Sequence, residues 1–259
     1  MSVFSTKYYS LLRQLVITDF KLRYQGSVLG YLWSIVRPLA LFTVLYLVFS
    51  RIFRFGDAIP AYPAYLLLGI VLWTFFVEAT NVGMQSIVGR GDLIRKVTIP
   101  KWTIVFSTSF TAFINFGINL VVAMMFAIPL GTQLIEATWT LPLIIVELFA
   151  LAVGISFLLA ALYVKFRDMS FIWELVLQIG FYATPILYPL NLVPERWQQL
   201  MLLNPMAQII QDARYLLVTP QTITATTTTR LISITIIAAI SILATIYFKK
   251  ASRNFAENV

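Results

Sequence analysis

Residues 171–217, FIWELVLQIGFYATPILYPLNLVPERWQQLMLLNPMAQIIQDARYLL, form an apolar run that proline keeps interrupting. Pro185, Pro189, Pro194 and the Asn204-Pro205 step fall within it, beside Glu195, Arg196, Gln198 and Gln199. The run is too apolar for a water-facing surface and too broken for plain spanning helices. Backbone broken at membrane depth frees N–H and C=O groups, which hydrocarbon does not satisfy. Such backbone is tolerated only against protein or a water-filled cavity. The segment therefore reads as one that borders a hydrated passage, and transport is the first functional expectation.

The chain as a whole is 59% hydrophobic and 12% charged, against about 45–50% and 25% for soluble domains. The fold expected is an all-α membrane protein. A crossing needs about 20 mostly apolar residues, and six such runs are present: 30–49, 62–79, 104–130, 141–164, 171–188 and 231–248. Pro38 either kinks the first or marks its start, and the sequence does not choose. No internal repeat is visible. The absence of Cys and His excludes disulfides, Ser-His and Cys-His dyads, and imidazole or thiolate metal sites. Asp19, Asp57, Asp92, Asp168 and Asp212 are each isolated, which argues against a Mg²⁺-dependent transferase needing clustered carboxylates. The net charge of +8 reflects loop lysines and arginines, with no accompanying nucleic-acid motif.

Loop charge sets the expected orientation. On one side lie the basic residues of the N-terminal segment, Arg37, Arg90, Arg95, Lys96, Lys101, Lys165, Arg167, Lys249, Lys250 and Arg253. The other side holds only Arg51, Arg54, Arg196, Arg214 and Arg230. Both termini are thus expected in the cytoplasm. The first residues lack the compact apolar core of a signal peptide. Residues 1–29 instead alternate faces at helical spacing, with Tyr8, Leu11, Leu12, Leu15, Val16 and Leu22 opposite Lys7, Arg13, Gln14 and Lys21. They read as an amphipathic helix in the cytoplasmic interface, serving either as a lipid anchor or as a brace for a partner. Residues 30–259 form the transmembrane domain, with a cytoplasmic loop at 82–103 and an external re-entrant hairpin and linker at 189–230. Arg37, Glu78 and Glu174 fall close enough to the cytoplasmic ends to snorkel. Glu147 faces a wet cavity or pairs with Arg51 or Arg54. The Thr219–Thr229 stretch is too polar to span and reads as an external linker.

Three segments in register resemble the permease subunit of type-2 ABC transporters, in particular the exporters of O-antigen and teichoic-acid polysaccharides. In the first, Asp19, Lys21, Arg23, Tyr24, Leu29, Gly30, Trp33, Pro38 and Leu39 match an interfacial helix leading into the first span. The second, Asn81 to Trp102, matches the loop between spans two and three. The third contains Arg167-Asp168, Thr184-Pro185-Ile186-Leu187-Tyr188, Trp197 and Asn204-Pro205. On its own the stretch Gly89–Lys96 reads as a solvated basic loop. The resemblance makes it the coupling helix that docks on an ATPase, with Arg90, Asp92, Leu93, Ile94, Arg95 and Lys96 as its contact residues. Leu93 and Ile94 would fill an apolar groove of that partner.

The chain carries no phosphate-binding loop. The resemblance therefore implies ATP and Mg²⁺ on a separate subunit, present in two copies on a pair of permease chains in the bacterial inner membrane. It further implies a lipid-linked polysaccharide as cargo, with Lys21, Arg23 and Tyr24 near lipid headgroups. Phe181, Tyr182, Tyr188 and Trp197 would line the glycan passage, because ring faces hold sugar C–H faces without gripping one hydroxyl pattern. Pro185, Pro189, Asn204 and Pro205 would shape the hairpin. A permease for a drug or simple lipid, and more remotely a glycolipid enzyme, remain as alternative readings.

Overall fold

A computed structural model of the chain describes residues 2–24, 30, 32–54, 59–96, 99–132 and 135–255. Among them every regular element is helical. The helices are α1 (Ser2–Tyr24), α2 (Leu32–Leu47), α3 (Tyr62–Gln85), α4 (Gly91–Lys96), α5 (Trp102–Ala127), α6 (Leu141–Lys165), α7 (Met169–Ala183), α8 (Glu195–Met201), α9 (Pro205–Leu217) and α10 (Thr227–Ala251). Five of these, α2 with a π-helical extension at Val48–Ile52, α3, α5, α6 and α10, are long and apolar enough to cross a membrane. Pro38 lies buried inside α2 without ending it.

The fifth expected crossing is shorter than its apolar run. α7 has 15 residues, or about 22 Å at 1.5 Å per residue, against a hydrocarbon core of about 30 Å. Its end has a local cause. Pro185 disfavours helical backbone at the residue before it, and Thr184 turns extended at ψ 138°. Pro205 sits in the first turn of α9, where a missing N–H costs nothing. Asn204 caps that helix by accepting from the Met206 N–H at 3.0 Å, and its Nδ2 donates to Thr184 Oγ1 at 3.2 Å. Thr226 caps α10 in the same way. Here the Thr-rich linker closes on Gln199, whose Oε1 accepts from the Thr226 N–H and from the Thr229 hydroxyl.

α3 is the most buried of the five crossings, with Leu66, Ile70 and Ala79 fully inaccessible, and it packs on α5, α6, α2, α7 and α9. Lipid offers tails as apolar as leucine, so helices associate here through close approach and polar bonds. Gly83 permits one such approach. A Cβ on it would sit 2.5 Å from that of Ser156, whose hydroxyl donates to the Ala79 carbonyl across the interface at 3.1 Å. A second cluster closes the end of the bundle that carries α4, joining Ile87, Ile94, Ile104, Phe157, Phe248 and Phe255.

The decisive packing surrounds Arg214 of α9. This side chain has no solvent exposure, which corrects its expected place among external loop charges. Its guanidinium donates to the carbonyls of Tyr65 at 3.0 Å, Pro185 at 2.6 Å and Ile186 at 2.7 Å, and to Gln211 Oε1 at 3.1 Å. It also lies flat on the Tyr65 ring, 3.5 Å from the centroid. The next freed carbonyl, Leu187, accepts from the Tyr62 hydroxyl at 2.9 Å. Side chains of α3 and α9 thus satisfy the backbone that the Thr184-Pro185 break exposes. Gly69 makes the space, since a Cβ there would fall 2.5 Å from an Arg214 terminal nitrogen.

Replacing Arg214 with Gln leaves at least two buried carbonyls unmatched, at about 1–3 kcal/mol each. The purified protein is expected to melt about 4–24 °C lower, taking 2–4 °C per kcal/mol for a chain of this size. Gly69→Val should move melting in the same direction by displacing the guanidinium. Wild-type melting of Arg214→Gln would contradict the role assigned to this residue.

Candidate functional site

The proline break expected to face water is instead sealed in protein. Thr184, Pro185, Ile186 and Leu187 are all buried, and Ile186 and Leu187 belong to the main core. What borders open space is α7 before the break. One side of α7 is anchored to α3. Trp173 Nε1 donates to Thr80 Oγ1 at 3.1 Å, Phe181 meets Trp73 edge-on at 6.0 Å, and Gly180 lets Trp73 approach. The opposite side is exposed and carries Glu174, Gln178 and Tyr182, spaced i, i+4, i+8 among Phe171, Leu175 and Ile179. Residues four apart stack on one helix face, so a carboxylate, an amide and a phenol form one stripe.

The four aromatic residues expected in the passage separate by environment. Tyr182 is 64% exposed and Trp197, on α8, is 47% exposed. Phe181 is half-buried and serves as the α7–α3 contact. Tyr188 is half-buried against the core, and its hydroxyl donates to the Tyr182 carbonyl at 3.3 Å. Pro189 is buried, and Asn204 and Pro205 hold the start of α9.

The loop expected to couple to an ATPase contains the short helix α4. Asp92, Arg95 and Lys96 are exposed, and Leu93 is half-exposed. Ile94 was expected to enter a partner's groove. It is only 7% exposed and packs in the chain's own second cluster, so its burial is already used. Arg90 points away from the exposed side. It pairs with Asp19 of α1 and reaches Ser107 of α5 at 3.5 Å, tying the first helix to this loop. Lys101 donates to the Ser252 carbonyl beyond α10. Lys21 is exposed on α1; the Arg23 and Tyr24 side chains, and Leu29, lie outside the described residues.

Asp212, which looked isolated in sequence, lies with Arg230 and Glu147 at the other end of the bundle. Asp212 pairs with Arg230 at 2.8 Å and accepts from Gln208 at 3.1 Å, linking α9 to α10. Glu147 of α6 lies in the field of both Asp212 and Arg230; of the two arginines expected as its partner, the Arg51 side chain lies outside the described residues and Arg54 is exposed. A wider opening lies between α2 and α3 towards the α4 end. It is a cleft of about 650 Å³ walled by Trp33, Ser34, Arg37, Glu78 and Asn81 among others. Among the described residues, no cluster of three His, Cys, Asp or Glu side chains is placed to hold a metal ion.

Known proteins with this pattern are membrane permeases. The chain is 30% identical over 207 residues to the O-antigen export system permease protein RfbA of Klebsiella pneumoniae, covering 80% of this chain and 79% of the relative. The protein of the same name from Myxococcus xanthus is 32% identical over 209 residues, covering 79% and 78%. The polysialic acid transport protein KpsM of Escherichia coli is 22% identical over 203 residues, covering 77% and 78%. The family model described as ABC-2 type transporter matches residues 10–218, from α1 through α9. A match of that extent, together with relatives at this identity and coverage, places the chain in the ABC-2 type transporter membrane family.

Proposed function

We propose that this chain is the membrane subunit of an ATP-driven exporter that moves a lipid-linked polysaccharide, such as O-antigen, teichoic acid or a related envelope glycan, across the bacterial inner membrane. The observation that carries this reading is the exposed stripe Glu174–Gln178–Tyr182 on α7. Gln178 and Tyr182 lie farther along α7 than Glu174, and an amide or hydroxyl facing tails without a hydrogen-bond partner costs roughly 2–7 kcal/mol. A second copy of the chain, set face to face with α7 turned inward, encloses that stripe in a hydrated passage. In this arrangement α7 and the hairpin behind it complete the sixth crossing. The basic α4 end, with both termini, faces the cytoplasm in accord with loop charge. α1 lies along the interface.

A sliding polymer needs weak, repeated contacts, since conduction requires release as well as binding. Tyr182 and Trp197 offer ring faces of that kind. The relatives named for O-antigen export support a glycan cargo. Hydrolysis of ATP with Mg²⁺ belongs to two copies of a cytoplasmic ABC subunit, docked on α4 through Leu93 and steered by Arg95 and Lys96. Apolar anchors carry most interface energy, whereas rim charges chiefly set association rate.

Four outcomes test the assignment. Tyr182→Ala combined with Trp197→Ala should lower surface glycan at unchanged protein level, and unchanged glycan would remove these residues from the passage. Leu93→Ala should weaken co-purification of the ATPase subunit more than Lys96→Ala does; a reversed order would reject α4 as the dock. Ile94→Ala should act differently, lowering thermal stability by the roughly 2–5 kcal/mol of a large-to-small core change and weakening the dock only through that loss. A normal surface glycan profile after deletion of the gene would contradict the exporter reading altogether.

A further inference from the structure

A smaller cavity lies at the end of the bundle opposite α4, where the start of α3, the hairpin turn, α9 and the Thr-rich linker meet. Its walls include Tyr65, Asn191, Gln211, Thr219 and Thr222, and its volume is about 50 Å³. That is well below the roughly 300–1,000 Å³ of small-molecule sites. It exceeds the about 10–15 Å³ that admits one water. An occupant must therefore be a small ion or a few waters.

The walls supply hydrogen-bond donors and, among the described residues, no carboxylate. Gln211, 1% exposed, is the central donor. Its Oε1 accepts from Arg214 at 3.1 Å and from the Tyr65 hydroxyl at 3.2 Å. Two donors on one oxygen fix which way the amide points. Nε2, on the other side, is buried without a partner. Thr219 is 3% exposed, and its hydroxyl oxygen accepts from the Gln221 N–H at 3.4 Å, which leaves its proton to be donated. A buried donor left unmatched is costly, and both residues border the same cavity.

The charge behind this wall has one sign. Arg214 is fully buried, and among the described residues no carboxylate lies within ion-pair distance of it. Its carbonyl and ring partners are dipoles, which solvate the cation without cancelling it. Asp212, the only acid of α9, is matched by Arg230 of α10. We infer that the cavity binds a small monovalent anion of halide size, such as chloride, held by Gln211 Nε2 and the Thr219 hydroxyl. The ion faces Arg214 through the Gln211 amide. It balances a buried cation that otherwise has no counter-charge, and it pins the linker to α9 and the hairpin. This site is separate from the α7 stripe, and it does not depend on which cargo the protein moves.

The test uses purified full-length protein in nanodiscs, with chloride itself as the probe. Chloride is exchanged at constant ionic strength for gluconate, which is too large for the cavity. Wild-type protein should melt about 3–6 °C higher at chloride tenfold above its dissociation constant, and the shift should saturate. Thr219→Val should raise the half-saturating chloride concentration about tenfold, the scale of one hydrogen bond to a charged group. Gln211→Glu sets a fixed negative charge beside Arg214 and should abolish the chloride response. Bromide soaked into crystals of the wild-type protein should give an anomalous peak between Gln211 and Thr219, a readout that stands even if a variant fails to fold. Equal wild-type melting in chloride and gluconate, or no bromide peak, leaves only water in the cavity and overturns the site. A chloride response unaltered in both variants overturns it too, by placing the ion elsewhere.

Discussion

The architecture depends on one arginine that replaces the hydrogen bonds a helix would have made. α7 stops short of the bilayer's thickness because Thr184-Pro185 cannot continue it. The carbonyls of Pro185, Ile186 and Leu187 are then buried in protein. Arg214 and Tyr62 satisfy all three. A guanidinium suits this task because its donors form a rigid fork and its plane stacks on Tyr65. Burying such a charge is costly by itself. Four hydrogen bonds and a ring face offset that cost, and removing any partner exposes it again. The short α7, the return through α8 and α9, and the close approach of α9 to Gly69 all follow from that one exchange.

Sealing the break on the protein side leaves α7 with two unlike faces. Trp173, Leu177 and Phe181 lock it to α3, so the helix is held rigidly while its other face stays open. Gln178 and Tyr182, farther along α7 than Glu174, would leave polar groups unmatched against hydrocarbon. Their presence on an open face gives the proposed passage its physical basis. The polar stripe is presented by a firmly packed helix, and the broken segment serves as its support. The same separation holds at the α4 end, where Ile94 and Arg90 fasten the loop to the bundle while Leu93 is half-exposed and Lys96 exposed.

The helical class, five crossings and the place of the break were legible because hydropathy and proline act locally. Pro185 stops α7, and Asn204-Pro205 starts α9, for reasons contained in those residues. The partner of the broken backbone was not legible. Arg214 follows Gln208, Gln211 and Asp212 in a polar stretch that reads as external surface, yet all four are buried. Nothing within that stretch reveals that Pro185, 29 residues earlier, leaves acceptors for it to meet. The pairing of Asp212 with Arg230, and the burial of Ile94 and Phe255, are hidden for the same reason: each depends on a neighbour distant in sequence. The stripe on α7 was readable as spacing, but knowing which side faced α3 required Trp73 and Thr80 in place.

Because the chain has no cysteine, single introduced thiols report water access without background. The decisive measurement is labelling of Glu174→Cys, Gln178→Cys, Tyr182→Cys and Ile186→Cys with a charged, membrane-impermeant maleimide applied to the assembled protein in sealed and opened vesicles. Positions 174, 178 and 182 should react once the reagent reaches the passage, while position 186, folded beneath Arg214, should stay unreactive until the protein is denatured. Fast labelling at 186 with silence along α7 would place water behind the break and lipid on the stripe, and would contradict the account.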